Sequence, residues 1–542
     1  MSALVALRSL LRGSDGRRAA VDEARRFAAD DARAREGAGR QRDAYEVRED
    51  GGLVLGTART GGWHVGLPAD RLRGHSAIFR PSGAGKSYLL AVMISGLLRV
   101  GVRRLLILDP KTETVDLVKR VIIDYAHTLC AADREDLLGR TVCLDLFGSD
   151  TLPRLQILAP TVGLDPELHA FEVSNLVTTE LDQAAGVRQE WIFHRAIECL
   201  VRAAMPLTAL PAVLENPEIL DALAETTAPA ELFRSTAARL GKESKDRIQG
   251  CVSRIERLLR LKSTRLALGG SETCIDFAAL LNDRITLVNL APPAGSVDIG
   301  RFMAGMFWIA VSHAIRRRSN GASPCFVAVD EWPVFLSGGG ARLCDSFEDT
   351  LRLARSRGIY LSVLAQEMAS VAKVSGSLPE VLKSNMHYLS VFRAATDAAA
   401  WDFILPISGR EPKPVAASWV DAKPAFLDRA SELAVRRSEL SRLPDRECYF
   451  ADRRTGLPGV KMRTADLVLK AAASDVRALE ARAAAQPEVA SVAELEAGLR
   501  DVSRRIESLS STPSPRAPNE PADAAVGAAA PLRRKGRGAG IG

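Results

Sequence analysis

The run Ser82-Gly83-Ala84-Gly85-Lys86-Ser87 constrains this chain more than any other stretch. It lies between an apolar strand-like segment, Ser76-Ala77-Ile78-Phe79, and a helix-like one, Tyr88-Leu89-Leu90-Ala91-Val92-Met93-Ile94. A strand that turns through glycines into a helix presents successive backbone N–H groups as a positive concavity for phosphate oxygens. Gly83 and Gly85 permit a close approach that a Cβ would block. In this spacing Lys86 reaches terminal phosphates and the Ser87 hydroxyl ligates Mg²⁺. One position departs from the pattern G-x-x-x-x-G-K-S: its first glycine falls at residue 80, which is Arg80. If that position needs φ > 0, the arginine strains the loop by about 1–3 kcal/mol.

A phosphate loop of this kind requires a sheet behind it, and the sequence supplies one. Short, continuous apolar runs occur at 76–79, 104–108, 141–146, 285–290, 326–330, 359–364 and 388–393. Runs without polar alternation are the pattern of strands buried on both faces of a parallel sheet, so the chain reads as α/β. Strand signals stop between about 160 and 265, where helical patterns dominate. A single βαβ crossover needs only 30-odd residues, so this gap predicts an inserted all-α subdomain. Ahead of the core, 1–45 reads as an exposed helical extension and 46–72 as a small β element. The α/β core itself is expected over 73–460.

Helical patterning returns at 461–510. There Val492, Leu495, Leu499, Val502, Ile506 and Leu509 follow 3-4-3-4-3 spacing, a seam of two to three heptads. It is short of a sustained coiled coil, and fits either a helix packed on the body or an oligomerising coil. Residues 511–542 are rich in Pro, Ala, Gly and Arg and end Arg533-Arg534-Lys535-Gly536-Arg537. They read as a disordered basic tail, either a solubilising one or one that touches DNA or acidic partners.

The chain is long enough, at 542 residues, for several domains, and its 47% hydrophobic and 26% charged content is that of a globular protein. A net charge of +7 permits a nucleic-acid partner without requiring one. The eight cysteines form no C-x-x-C pair and no zinc spacing, which favours buried free thiols in a reducing compartment. No run approaches the roughly 18 apolar residues of a membrane span; the best, Phe302 to Ile315, reads as a buried core helix. With no secretory signal pattern at Met1 to Gly13, the expected location is cytoplasmic.

The chemistry-bearing constellation follows the strands. Phe326-Val327-Ala328-Val329 ends in Asp330-Glu331. Ligands in open α/β sheets sit at the carboxyl ends of strands. There Asp330 would hold Mg²⁺ through water and Glu331 would orient and polarise an attacking water. Asp109-Pro110-Lys111 follows the strand Leu105 to Leu108 at the same edge, and reads equally as a Pro-containing turn. The strand from Ile359 ends at Gln366, which can sense a γ-phosphate or hold a water. Ahead of it stands Arg355-Ser356-Arg357-Gly358, where an arginine could stabilise transition-state charge on a neighbouring subunit's nucleotide.

The order of these pieces resembles that of the HerA–FtsK superfamily of P-loop ATPases, and within it the type IV secretion coupling proteins of the TraG/TraD type. The resemblance covers roughly residues 50–460. It rests on His75, Ser82-Gly83-Ala84-Gly85-Lys86-Ser87, Asp109-Pro110-Lys111, the strand Ile285 to Leu290, and Asp330-Glu331-Trp332-Pro333. Arg355-x-x-Gly358, Gln366 and the segment Asn385 to Arg393 complete it. The resemblance implies a RecA-like core that takes ATP and Mg²⁺. It implies cofactor binding by Ser82, Gly83, Ala84, Gly85, Lys86 and Ser87, metal binding by Ser87 and Asp330, and catalysis by Glu331, Lys86, Arg355 and Gln366. Arg355 is preferred to Arg357 as the trans-acting finger because it stands three residues before Gly358. The resemblance further implies a homo-hexameric ring that moves DNA without regard to sequence, with relaxosome or secretion-channel proteins as partners. Membrane-bound coupling proteins begin with transmembrane helices that this chain does not show, so a soluble variant recruited to the inner membrane face is expected. The alternatives are a secretion-channel ATPase that moves protein, a HerA-type motor of DNA processing or defence, and a catalytically weak nucleotide-dependent adaptor.

Overall fold

The seven apolar runs become seven parallel strands of one sheet. A computed structural model of the chain describes residues 36–48, 51–79, 86–158, 165–181, 187–270, 275–337, 340–366, 368–393, 434 and 437–511. In chain order the strands are β1 (Gly52–Ala58), β2 (His64–Pro68), β3 (His75–Phe79), β4 (Leu105–Asp109) and β5 (Thr141–Asp145). They continue with β6 (Thr151–Pro153), β7 (Ile285–Asn289), β8 (Cys325–Val329), β9 (Ile359–Ala365) and β10 (Met386–Val391). The last are β11 (Glu447–Asp452), β12 (Val460–Thr464) and β13 (Val489–Ser491). Eleven of them form one sheet in the order β2-β1-β12-β11-β10-β3-β9-β8-β4-β7-β5. From β10 to β5 every pairing is parallel, while β10, β11, β12, β1 and β2 pair antiparallel. The small β element expected at 46–72 is therefore not separate: β1 and β2 extend the edge of the central sheet.

Side chains alternate across the sheet as strand geometry requires. Leu106 and Leu108 enter one core together with Val327, Val329, Leu361 and Val363. Leu105 and Ile107 enter the other with Ile78, Ala328 and Leu364. The first core continues into the helices of 166–268, a stretch with no strand among its described residues. Its long helix Val297–Arg317 is buried along most of its length, from Ile299 and Phe302 to Ile315, so the most apolar run of the sequence is a core helix. No helix among the described residues is long and apolar enough to cross a membrane. On the second face lie the helices Lys86–Arg99 and Glu113–Ala126.

The heptad seam has an intramolecular partner. Helix Val492–Ser511 buries Leu495 and Val502, with Val492 and Leu499 packed against Leu152, Leu266 and Ala490. Ile506 and Leu509 reach the main core. The cysteines within the described residues form no disulfide, and Cys199, Cys251, Cys325, Cys344 and Cys448 are buried. The exposed extension before residue 36, Arg80 and the basic tail beyond 511 lie outside the described residues.

Candidate active site

Strand register builds the site. Phe79 pairs with Ala365, so β3 ends level with the end of β9, where Gln366 follows. Leu108 pairs with Val329, which sets Asp109 beside Asp330. β9 separates the strand that leads into the phosphate loop from the acidic strand β8. Lys86, Asp109, Asp330, Glu331 and Gln366, drawn from positions up to 280 apart in sequence, thus share one carboxyl edge. Ser82, Gly83, Ala84 and Gly85 lie outside the described residues. Lys86 opens the helix Lys86–Arg99, with Ser87 next on its first turn.

Glu331 is the centre of this edge. Its Oε1 accepts a hydrogen bond from Lys86 Nζ, from Lys111 Nζ at 2.9 Å and from Gln366 Nε2 at 2.7 Å. Lys86 Nζ also stands 3.9 Å from Asp330 Oδ1. Both carboxylates and Lys86 are buried. Glu331 has φ +46°, a left-handed conformation unusual for a residue with a side chain. The next residue anchors it: Trp332 is fully buried and stacks on Phe347 with ring centroids 5.1 Å apart. Burial alone would raise the Glu331 carboxyl, but the charge and hydrogen bond of Lys86, with those of Gln366 and Lys111, outweigh it and hold the group below its ordinary range.

Asp330 behaves differently. Its Oδ2 accepts from the Thr114 hydroxyl at 2.5 Å and its Oδ1 from the Glu331 N–H at 2.9 Å. Burial nonetheless raises its pKa. Asp109 is fully buried and is pushed up to about 6, burial again outweighing its hydrogen bonds. That carboxyl accepts the N–H groups of Lys111 (2.7 Å), Thr114 (2.8 Å) and Val115 (3.0 Å), and so closes the turn that opens helix Glu113–Ala126. Lys111 and Thr114 are the site residues that the sequence reading did not assign. The signal available was Asp109-Pro110-Lys111 at a strand end followed directly by a helix.

Arg355 is not at this edge. It opens the 3-10 turn Arg355–Arg357 ahead of β9, at the amino edge of the sheet. It is exposed, and its Nη1 donates to His387 Nε2 at 2.8 Å. Arg357 is committed internally: its Nη1 donates to the Arg318 carbonyl at 2.6 Å while Arg318 Nη1 donates to the Arg357 carbonyl at 2.7 Å. The spacing Arg355-x-x-Gly358 has a local cause. The Gly358 N–H closes the turn on the Arg355 carbonyl at 3.0 Å, with Gly358 at φ +71°. His75 is structural: its Nδ1 accepts from the Leu361 N–H at 2.9 Å and its Nε2 lies 3.1 Å from the Leu351 carbonyl. Asn385 ends the helix Leu378–Asn385 at the amino edge, with Nδ2 on the Val381 carbonyl at 2.8 Å.

A parallel sheet, a helix opened by Lys86 and an acidic strand two positions from β3 make up a P-loop ATPase-like fold. Residues 53–294 match the family model described as the central domain of helicase HerA. Among solved structures the fold is similar to VirB4 of Thermoanaerobacter pseudethanolicus, at 14% identity and TM-score 0.50, over 80% of this chain and 100% of that one. It is equally similar to the plasmid coupling protein TrwB in complex with the ATP analogue ADPNP, at 13% identity and TM-score 0.50, over 80% and 94%. No curated protein matches the chain. Over residues 53–294 the chain is thus similar to the HerA central domain, in agreement with the resemblance to HerA–FtsK ATPases drawn from its motifs.

Proposed function

We propose that the protein hydrolyses ATP at the carboxyl edge of its sheet and that it works as a ring motor on DNA, of the coupling-protein kind. The observation that carries the hydrolytic part is the convergence of Lys86, Lys111 and Gln366 on Glu331 Oε1 beside the buried Asp330. Lys86 leads a helix whose N–H groups favour phosphate, and the ATP analogue bound by TrwB, which has this fold, supports ATP as the nucleotide. Asp330 offers buried carboxylate oxygens and Ser87 a hydroxyl, the hard oxygen donors that Mg²⁺ selects. When bound, that ion would supply charge neutralisation for the phosphates.

In the proposed reaction Lys86 exchanges its bond to Glu331 for the β- and γ-phosphates. Glu331, ionised, then orients a water toward the γ-phosphorus and takes its proton as the new P–O bond forms and the bond to ADP breaks. The proton passes to the released phosphate. Gln366 holds the carboxylate and the water in register. Arg355, exposed at the opposite edge, is assigned to the nucleotide of a neighbouring subunit, which implies a closed ring such as a hexamer. Basic groups facing the lumen would grip DNA phosphates with little sequence preference. The protein would act in the cytoplasm, recruited to the inner membrane face by secretion or DNA-processing partners.

The test is ATP turnover with and without duplex and single-stranded DNA. Wild type is expected to hydrolyse ATP faster with DNA, and Lys86→Ala and Glu331→Gln to lose turnover by roughly 10²-fold or more. Wild-type protein that fails to hydrolyse ATP under either condition would refute the hydrolytic reading. Turnover indifferent to DNA would instead favour a motor that moves polypeptide.

A further inference from the structure

Glu331 Oε1 receives three donors, two of them ammonium groups. A carboxylate oxygen has two lone pairs, so the third donor is in excess and one can leave without stranding the charge. Lys86 is the one with another task, because the residue after the glycines of a phosphate loop pairs with phosphate. Its departure would leave a buried carboxylate with Gln366 and Lys111.

Two further observations single out Lys111. Its backbone is fixed: Asp109 accepts the Lys111 N–H at 2.7 Å, and the adjoining Thr112 is held at φ +66°. Of the four non-glycine residues with positive φ among the described residues, Thr112 and Glu331 both lie at this contact. Left-handed backbone at a side-chain residue costs about 1–3 kcal/mol and persists where surrounding structure imposes it. Here it aims an ammonium and a carboxylate at one another from turns 220 residues apart. The Lys111 side chain is also 44% exposed, against 9% for Lys86, so it fills no core space.

We propose that Lys111 is a positioning residue for hydrolysis, holding Glu331 toward the attacking water once Lys86 has moved to the phosphates. This rests on the ATPase reading given above. In this role Lys111 acts through Glu331, to which its Nζ donates at 2.9 Å.

The experiment uses the full-length chain: wild type, Lys111→Met, Lys111→Arg and Glu331→Gln. Turnover is followed against ATP concentration, ADPNP affinity is measured directly, and thermal midpoints are compared. Lys111→Met is expected to lower kcat by roughly 10²-fold, the scale of a misplaced reacting group. Its KM, ADPNP affinity and midpoint should stay within about twofold or unshifted, the pattern of an interaction made only in the transition state. Lys111→Arg should recover most of the lost kcat. Wild-type kcat in Lys111→Met overturns the proposal, as does an ADPNP affinity that falls in step with turnover, or an arginine variant as slow as the methionine one. A slow Glu331→Gln beside a fast Lys111→Met refutes only this assignment. An inactive wild type refutes the ATPase reading and the assignment together.

Discussion

Three carboxyls meet at the carboxyl edge of the sheet, and their surroundings divide them. Glu331, with two lysines, is held ionised; Asp109 and Asp330, more deeply buried, are shifted toward protonation. The same competition between burial and partners governs His75, two strands from the acidic strand. Burial and the nearby His387 push His75 down to about 3. Its unfolded pKa is about 6.5, so between these values the unfolded chain binds the extra proton. The stability this neutral histidine contributes is therefore complete above pH 6.5 and is lost as pH falls toward 3, at up to about 1.4 kcal/mol per pH unit. In His75→Gln, the unfolding free energy from urea titration should be lower at pH 7.5, by roughly 1–3 kcal/mol of lost hydrogen bonding, yet decline less steeply to pH 5. His169, lowered to about 4, would leave a residual slope. Parallel curves for the two proteins would rule out His75 as a source of the slope. Single residues were legible where a motif fixes its own spacing, as for Lys86 or Asp330-Glu331. Lys111 and Thr114 were not, because each meets a partner more than 200 positions away, and that meeting depends on sheet register.

Elements were legible in proportion to the plainness of their pattern. The seven parallel strands are uninterrupted apolar runs and lie within two residues of their expected bounds. β11 escaped notice because its ends are charged, and β12 because it is short and alternates apolar with charged residues. Glu447 is buried only because Arg59 (2.9 Å) and Lys461 (3.4 Å) pair with it, and Asp452 only beside Arg454 (3.0 Å). β12 occupies the start of a segment expected to be helical; Val460 and Met462 turn inward while Lys461 and Arg463 stay more exposed, an alternation over just five residues. The turn ahead of β9 shows how one small residue holds an element. A Cβ on Gly358 would stand 2.2 Å from the Ala322 carbonyl oxygen and 3.0 Å from Arg318 Nη1, at a φ of +71°. Gly358→Ala should therefore cost roughly 2 kcal/mol or more, from a strained backbone and a displaced contact. The measurement is the urea or thermal midpoint. A variant as stable as wild type would mean the turn relaxes freely, and that the Arg355-x-x-Gly358 spacing is not imposed by geometry.

At the scale of the whole molecule the residues assigned to the proposed site lie at two edges of the sheet. Lys86, Glu331 and Gln366 lie where β3, β8 and β9 end, and Arg355 lies where β9 begins. β9 has seven residues, so at about 3.3 Å per residue the edges are roughly 23 Å apart. Arg355 cannot serve its own Glu331 across that distance; if it stabilises transition-state charge, it does so for another subunit. That arrangement makes a prediction no cis role shares. Arg355→Ala and Glu331→Gln should each be nearly inactive alone, the former by roughly 10³-fold if Arg355 acts as a finger. Co-assembled, they should regain turnover. Wherever an Arg355→Ala subunit, with its intact Glu331, is followed by a Glu331→Gln subunit with its intact Arg355, one complete site is restored. Co-expression with two different tags, purification through both, and ATP turnover across mixing ratios would measure this. Activity that peaks at intermediate ratios supports the shared site. Mixed rings no faster than the better parent would confine Arg355 to its bond with His387, and with it the case for a catalytic ring interface at that edge would fall.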